Sequence, residues 1–195
     1  MRMQAFFHYI NSYASTSISE ADFKVIQTHF MPKSLRKKQF LLVEGEVCKH
    51  FAFIVKGAMR QYYTDEKGVE HIVNLYVENW WAGDRESFVM ATPSAYHIDA
   101  WEDCEVLLVT RESILALTNQ FPAFNELVLK LDERNSIASQ KRITSSISFT
   151  AKVRYDEFAK CYPNFLQRFP QHIIASYLGI TKETLSRIRS QPAQK

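Results

Sequence analysis

QHIIASYLGITKETLSRIRS, residues Gln171 to Ser190, reads as two short helices joined by a tight turn. Ile174, Ala175 and Leu178 mark one face of the first helix, and Gly179 can take the left-handed conformation that ends it. Ile180 plugs the junction. Thr181 is placed to cap the second helix, with Glu183 and Thr184 in its first turn and Leu185 and Ile188 facing back. A small residue at the crossing and a glycine in the turn make this a helix-turn-helix pattern. The second helix then turns Lys182, Glu183, Ser186, Arg187 and Arg189 outward. Such a helix fits the major groove, where arginine can bond guanine O6 and N7 and glutamate can accept from cytosine N4. A plain helical hairpin would need neither Ala175 nor Gly179 nor a basic outer face.

The charge distribution agrees. The whole chain of 195 residues has a formal net charge of +3. Residues 1–167 are close to neutral, whereas residues 168–195 carry Arg168, Lys182, Arg187, Arg189 and Lys195 against Glu183 alone. That asymmetry points to a polyanionic partner at the tail.

Other classes are disfavoured. With 46% hydrophobic and 23% charged residues the composition is that of a globular protein, long enough for one large domain or two small ones. No apolar run approaches a membrane span, and the start, MRMQAFFHYINSYAS, is too short and too polar in its apolar patch for a secretory signal. A cytoplasmic location and no membrane partner are expected. Cys48, Cys104 and Cys161 are far apart and read as buried thiols, not as disulfides or a metal knuckle. His8, His29, His50, His71, His97 and His172 stand singly, and no nucleophile elbow or phosphate-binding glycine loop occurs. Neither catalytic residues nor a metal site are expected, so an enzyme is not.

Upstream of the tail the chain has two further textures. To about Phe30 it reads as helical, with Ser19 capping a helix that starts near Glu20 and carries Phe23, Val25, Ile26 and Phe30. From Met31 to Val109 come short β-rich runs, QFLLVE, FAFIVKGAMRQYY, HIVNLYV, YHIDAW and EVLLV, separated by turn signals. Many short strands at this spacing predict a barrel or jelly roll. Thr110 can cap a following helix, and a long helix starts at Pro122 and runs to about Phe149. Along it Phe124, Leu127, Val128, Leu131, Asn135 and Ala138 keep near a heptad seam, while Ile137, Ile143 and Ile147 lie on another face. One stripe can pack on its own domain and the other on a partner, with Asn135 fixing register if it sits in a parallel dimer seam.

Strands, long helix and ASYLGITKETLSRI together resemble a Crp/Fnr-family transcription regulator over nearly the whole chain. The resemblance implies an α+β chain in three parts. They are an N-terminal cyclic-nucleotide-binding-like β-barrel or jelly roll with its leading helices (1–120), a dimerisation helix (121–149) and an all-α helix-turn-helix domain (150–195). It implies a homodimer on double-stranded DNA, with RNA polymerase as a further partner if the protein activates. The family's base-reading Glu and Arg match Glu183 and Arg187, Ser186 completes an E-x-x-S-R pattern like that of the Fnr branch, and Lys182 stands where the catabolite-activator branch has an arginine. Thr181, Gln171, His172 and Thr184 are candidates for phosphate contacts. The Fnr branch's N-terminal cysteine cluster is absent, so an iron–sulfur oxygen sensor is not expected. YPNFLQRFPQH leaves little room for the family's β-hairpin wing, and little follows the second helix.

The same resemblance puts a nucleotide cradle at WWAGDRESFVMATPSAY, Trp80 to Tyr96. Gly83 is present, and Asp84 follows where glutamate is expected. The positions of the phosphate-binding arginine and its hydroxyl partner fall at Ser94 and Ala95, neither of which supplies a cation. Each missing charge-assisted hydrogen bond forfeits about 1.5–3 kcal/mol. Arg85 can substitute only if it does not pair with Asp84 or face solvent. No cAMP or cGMP cofactor is expected, and any effector pocket at Gly83, Asp84, Arg85, Ser94, Ala95 and Tyr96 would take another small molecule. Trp80, Trp81, Phe88, Tyr96 and Trp101 would wall that pocket or simply fill the barrel core. The alternative function is a ligand sensor with this barrel that does not bind DNA.

Overall fold

Both faces of the central strands are apolar because both are covered. The computed structural model describes residues 2–190. Met1 and residues 191–195, and with them Lys195 of the basic tail, lie outside the described residues. The chain opens with helices α1 (Arg2–Tyr13) and α2 (Glu20–Thr28), the latter capped by Ser19, whose hydroxyl accepts from the Asp22 N–H at 3.1 Å. Strands follow as β1 (Met31–Leu35), β2 (Phe40–Leu42), β3 (His50–Lys56), β4 (Met59–Thr64), β5 (Glu70–Tyr76) and β6 (Trp81–Ala82). After the short helix α3 (Arg85–Met90) come β7 (His97–Ala100) and β8 (Cys104–Thr110). They pair antiparallel in two sheets, ordered β1-β8-β3-β6 and β2-β7-β4-β5. Apart from the β4–β5 hairpin, successive strands change sheets, which is a jelly-roll wrapping.

Period-2 alternation then sorts the side chains. Ala52 and Ile54 of β3 and Val106 and Leu108 of β8 point between the sheets, where they meet Met59, Ile98 and Ala100. Phe53, Leu107 and Val109 point the other way, into a cluster with Phe6, Ile10, Ile26 and Phe30 of the leading segment. Burying a phenylalanine such as Phe53 removes roughly 1.5–3 kcal/mol of unfavourable hydration. The same cluster takes in Leu117 of α4 (Arg111–Gln120) and Phe124 and Leu127 of α5 (Pro122–Ser148). Thr110 caps α4 by accepting from the Ser113 N–H at 3.2 Å, and Pro122 starts α5 at a position where no N–H is missed.

Helices α6 (Ala151–Cys161), α7 (Phe165–Arg168), α8 (Gln171–Tyr177) and α9 (Lys182–Ser190) cover the outer face of the second sheet. Ala58, Tyr62, Ile72 and Leu75 form one core with Phe158, Phe165, Phe169, Ile173, Ile174 and Leu185. Among the described residues no strand lies between 149 and 190, in line with the short link before α8.

Polar contacts lock this junction. Arg168 forks onto two carboxylates, Glu78 at 2.5 and 3.1 Å and Glu102 at 2.6 and 3.0 Å. Trp101 Nε1 donates to the Arg168 carbonyl at 3.1 Å, and the Ile72 N–H donates to Ser176 Oγ at 2.9 Å. Arg168, counted from sequence among cations facing a polyanion, is thus engaged inside the molecule.

Burial pushes the Glu78 carboxyl up, but hydrogen bonds from Arg168 and from backbone N–H groups outweigh it and leave its pKa lowered. A lowered folded value means that Glu78 contributes stability above its unfolded pKa, near 4.5, and loses it as pH falls through the folded value. Thermal unfolding between about pH 6 and about pH 3 should therefore show a steeper acid decline for wild type than for Glu78→Gln. Equal declines would remove this pair as the cause.

Two expectations from the sequence are corrected. Cys48 and Cys104 are buried thiols, but Cys161, near the end of α6, is exposed. The long helix divides differently from its heptad seam. Phe124, Leu127, Val128 and Leu131 pack on the chain's own core, whereas Asn135 and Ala138 of the same seam are exposed. The apolar packing of α5 ends at Leu131; beyond it the helix still touches the barrel through Arg142, whose guanidinium donates to the Val73 carbonyl and lies 4.5 Å from the centroid of the Tyr177 ring.

Candidate nucleic-acid interface and sensor loop

Local turn chemistry sets the pose of α9. Gly179 has φ +64°, and the Ile180 N–H reaches back to the Ala175 carbonyl at 3.0 Å. Thr181 Oγ1 then accepts from the Thr184 N–H at 3.2 Å and caps α9. Ala175 is buried against Leu185, while Ile188 is buried one turn further on. With those two side chains fixed inward, about 100° per residue puts Lys182, Glu183, Ser186, Arg187 and Arg189 on the exposed side.

Gln171, Lys182, Glu183, Ser186, Arg187 and Ser190 line one open hollow of about 450 Å³. Five of the eight residues expected at a DNA surface are thus brought together. Thr181 is exposed but engaged as the cap, Thr184 is half-buried behind it, and His172 is exposed in the first turn of α8. The Glu183 carboxyl is held below the usual range by its own backbone N–H and then by the Thr181 hydroxyl. At neutral pH it is an acceptor flanked by cations.

The candidate sensor loop is closed on itself. Asp84 caps α3 by accepting from the N–H groups of Glu86 at 3.1 Å and Ser87 at 3.4 Å. Its other oxygen accepts from Ser94 Oγ at 2.7 Å, and Ser94 Oγ also accepts from the Tyr96 N–H at 3.0 Å. Asp84 is only 6% exposed and Ser94 3%. Ser87 extends the network, donating to the Thr92 carbonyl at 2.6 Å and accepting from the Cys48 N–H at 2.8 Å. Gly83 is dictated by packing, since a Cβ there would lie 2.7 Å from the Phe51 ring. Arg85 pairs with neither Asp84 nor solvent alone: it reaches Asp132 on α5. Ala95 is exposed and Tyr96 half-buried.

The aromatic residues divide between two roles. Trp81 packs on Phe6, Phe30 and Phe53, and Phe88 on Phe51, all as core. Trp80 instead meets Tyr162 and Phe165, and Trp101 meets Phe169, so both belong to the junction with the C-terminal helices. A polar group unforeseen from sequence also sits inside the barrel, where Gln61 Oε1 accepts from Asn74 Nδ2 and Tyr76 OH, both at 2.7 Å. A second hollow, of about 440 Å³, is lined by Leu41, Leu42, Glu46, Val47, Cys48, Lys49 and His50 and includes none of the six candidate sensor residues. Among the described residues no three His, Cys, Asp or Glu side chains are grouped to hold a metal ion. No described helix is long and apolar enough to cross a membrane.

Residues 32–121 match the family model of the cyclic nucleotide-binding domain. The fold is similar to that of FixK2 from Bradyrhizobium japonicum, with a TM-score of 0.71 and 21% identity over 83% of each chain. It is similar to a CooA variant from Carboxydothermus hydrogenoformans at a TM-score of 0.67 and 19% identity, over 85% of this chain and 77% of that one. For the catabolite activator protein of Thermus thermophilus the TM-score is 0.54 and the identity 20%, over 88% of this chain and 82% of that one. No curated protein sequence matches. The antiparallel β core, the long helix and the C-terminal helices thus form a Crp/Fnr-like α+β architecture.

Proposed function

We propose that this chain is a sequence-specific DNA-binding transcription regulator of the Crp/Fnr type that acts as a homodimer. The observation that carries the reading is the outer face of α9. Lys182, Glu183, Ser186 and Arg187 line one open hollow there, on a helix held from behind by Leu185 and Ile188. Arg187 and Glu183 read base edges, Lys182 reaches a base or a phosphate, and Gln171, His172, Thr181 and Thr184 lie beside the backbone.

The exposed apolar face on the second half of α5 supports the dimer. Ile137, Ile143 and Ile147 are 46%, 61% and 78% exposed, and with exposed Leu129 they fall within about 120° of one another at about 100° per residue. A second copy of α5 would cover them. The division of labour is then a sensor in residues 1–120, a dimer helix in 121–149 and a DNA reader from 150 onward. Two readers would enter successive major grooves about one helical turn apart. The Asp84–Ser94 hydrogen bond supports a regulator whose effector, where one acts, is not cAMP or cGMP.

Selection of duplexes from a random pool, with and without micromolar cAMP or cGMP, tests the reading. A roughly palindromic site should emerge, with affinity that falls steeply as salt rises and does not respond to either nucleotide. A pool that enriches no sequence would overturn DNA reading. Tight, saturable nucleotide binding would overturn the account of the sensor loop.

A further inference from the structure

Polar ties hold the C-terminal helices at one angle to the rest of the chain. On the barrel, Ser176 Oγ of α8 accepts from the Ile72 N–H at 2.9 Å and donates to the Glu70 carbonyl at 3.4 Å, both on β5. Arg168, at the end of α7, spans Glu78 and Glu102. At the junction, α5 passes to α6 through Phe149 and Thr150. There the Arg154 guanidinium reaches back to the carbonyls of Phe149 at 3.0 Å and Ser146 at 3.5 Å. A further tie joins three elements at once. Arg142 of α5 donates to the Val73 carbonyl of β5, and its guanidinium lies 4.5 Å from the centroid of the Tyr177 ring. Tyr177 ends α8, two residues before Gly179 turns the chain toward α9.

These ties are spread over α6, α7 and α8, with the apolar core of Phe158, Phe169 and Ile174 between them and the barrel. The short link after α5 therefore cannot swing without breaking at least one of them. That fixes a quantity which the outer face of α9 does not contain: the distance and angle between two copies of α9 across a dimer. Arg142 acts on it most directly, because the same helix carries the exposed Ile137, Ile143 and Ile147 that a second copy would cover. One base pair more or less between half-sites shifts one of them by about 3.4 Å and turns it by about 35°. A clamped pair of helices cannot follow that change and keep both half-sites, whereas a loosely hung pair can.

We propose that Arg142 and Arg168 are positioning residues that set the half-site spacing this protein accepts, acting through the pose of α9 and not through contact with DNA. The inference rests on the DNA-binding homodimer read above and gives it a selectivity that base contacts alone do not supply.

The test uses the full chain and duplexes of three kinds: the selected site, the same site with one base pair added or removed between its half-sites, and a single half-site. Wild type should bind the selected spacing about a hundredfold more tightly than the altered ones, since a misplaced second half-site forfeits the gain from linking two contacts. Arg142→Gln and Arg168→Gln should each cut that ratio to about tenfold or less, while binding the single half-site as wild type does. Arg142 is exposed and glutamine is a good helix former, so that variant opens no cavity and keeps α5 intact. A wild type that accepts every spacing, either variant as strict as wild type, or a variant that weakens as much on the single half-site as on the whole site would each overturn the inference while leaving DNA reading intact. If no site can be selected at all, the DNA reading fails and this inference with it.

Discussion

Replacing Arg187 by alanine is expected to weaken binding to the selected site by about 1–3 kcal/mol, roughly five- to 150-fold, and to relax the preference at one position of each half-site. The side chain is exposed on α9, and the helix is held by Leu185 and Ile188 on its other face, so the change leaves packing untouched. Alanine is also the best helix former, which keeps α9 in place. The loss would therefore report the guanidinium alone. Arg189→Ala serves as the control, since it removes the same charge two residues away. If Arg187 reads a base, its variant alone broadens the selected sequence. Should the two variants weaken binding equally on every duplex, Arg187 would be a phosphate contact and not a reader.

Asp84→Ala is expected to destabilise the fold by about 2–4 kcal/mol. Loss of the α3 cap accounts for about 1 kcal/mol of this. Losing the charge-assisted bond from Ser94 Oγ, 3% exposed, adds about 1–3 kcal/mol, because only the longer contact to the Tyr96 carbonyl at 3.2 Å is then left for its proton. Ser94→Ala alone should be milder, and the double variant should lose less than the sum of the two singles, since they share one hydrogen bond. Denaturant unfolding at fixed pH measures all three. If Asp84→Ala unfolds at the wild-type midpoint, the Asp84–Ser94 bond does not hold the loop shut.

The parts legible in the sequence were those whose causes are local. Gly179 sets the turn between α8 and α9 through its backbone and Thr181 caps α9 through its hydroxyl, as Ser19 and Thr110 cap α2 and α4. Strands β3 and β8 showed as long apolar runs because both their faces are covered. Strand β1, MPKSL, gave no such pattern, since four of its five residues are exposed and proline sits among them. Helix α3 is hard to see in the sequence although Asp84 followed by Glu86 in the first turn is an N-terminal signature, because at six residues it is too short to show an apolar period. The partners of Arg168 could not be read at all. Composition cannot tell a cation meant for DNA from one that meets Glu78 and Glu102, distant along the chain. Trp80 and Trp101 were uncertain for the same reason: their neighbours are helices that come much later in the chain.

Tyr62, Ile72 and Leu75 stay dry only because Phe165, Phe169, Ile173 and Ile174 lie over them. The outer wall of the barrel is thus cut to fit one particular set of helices. A chain built this way is not a kit of exchangeable modules. Grafting foreign helices after residue 150 would leave a greasy wall facing water, and sequence drift on either side of the junction has to be answered on the other. Barrel and C-terminal helices are inherited as a matched pair.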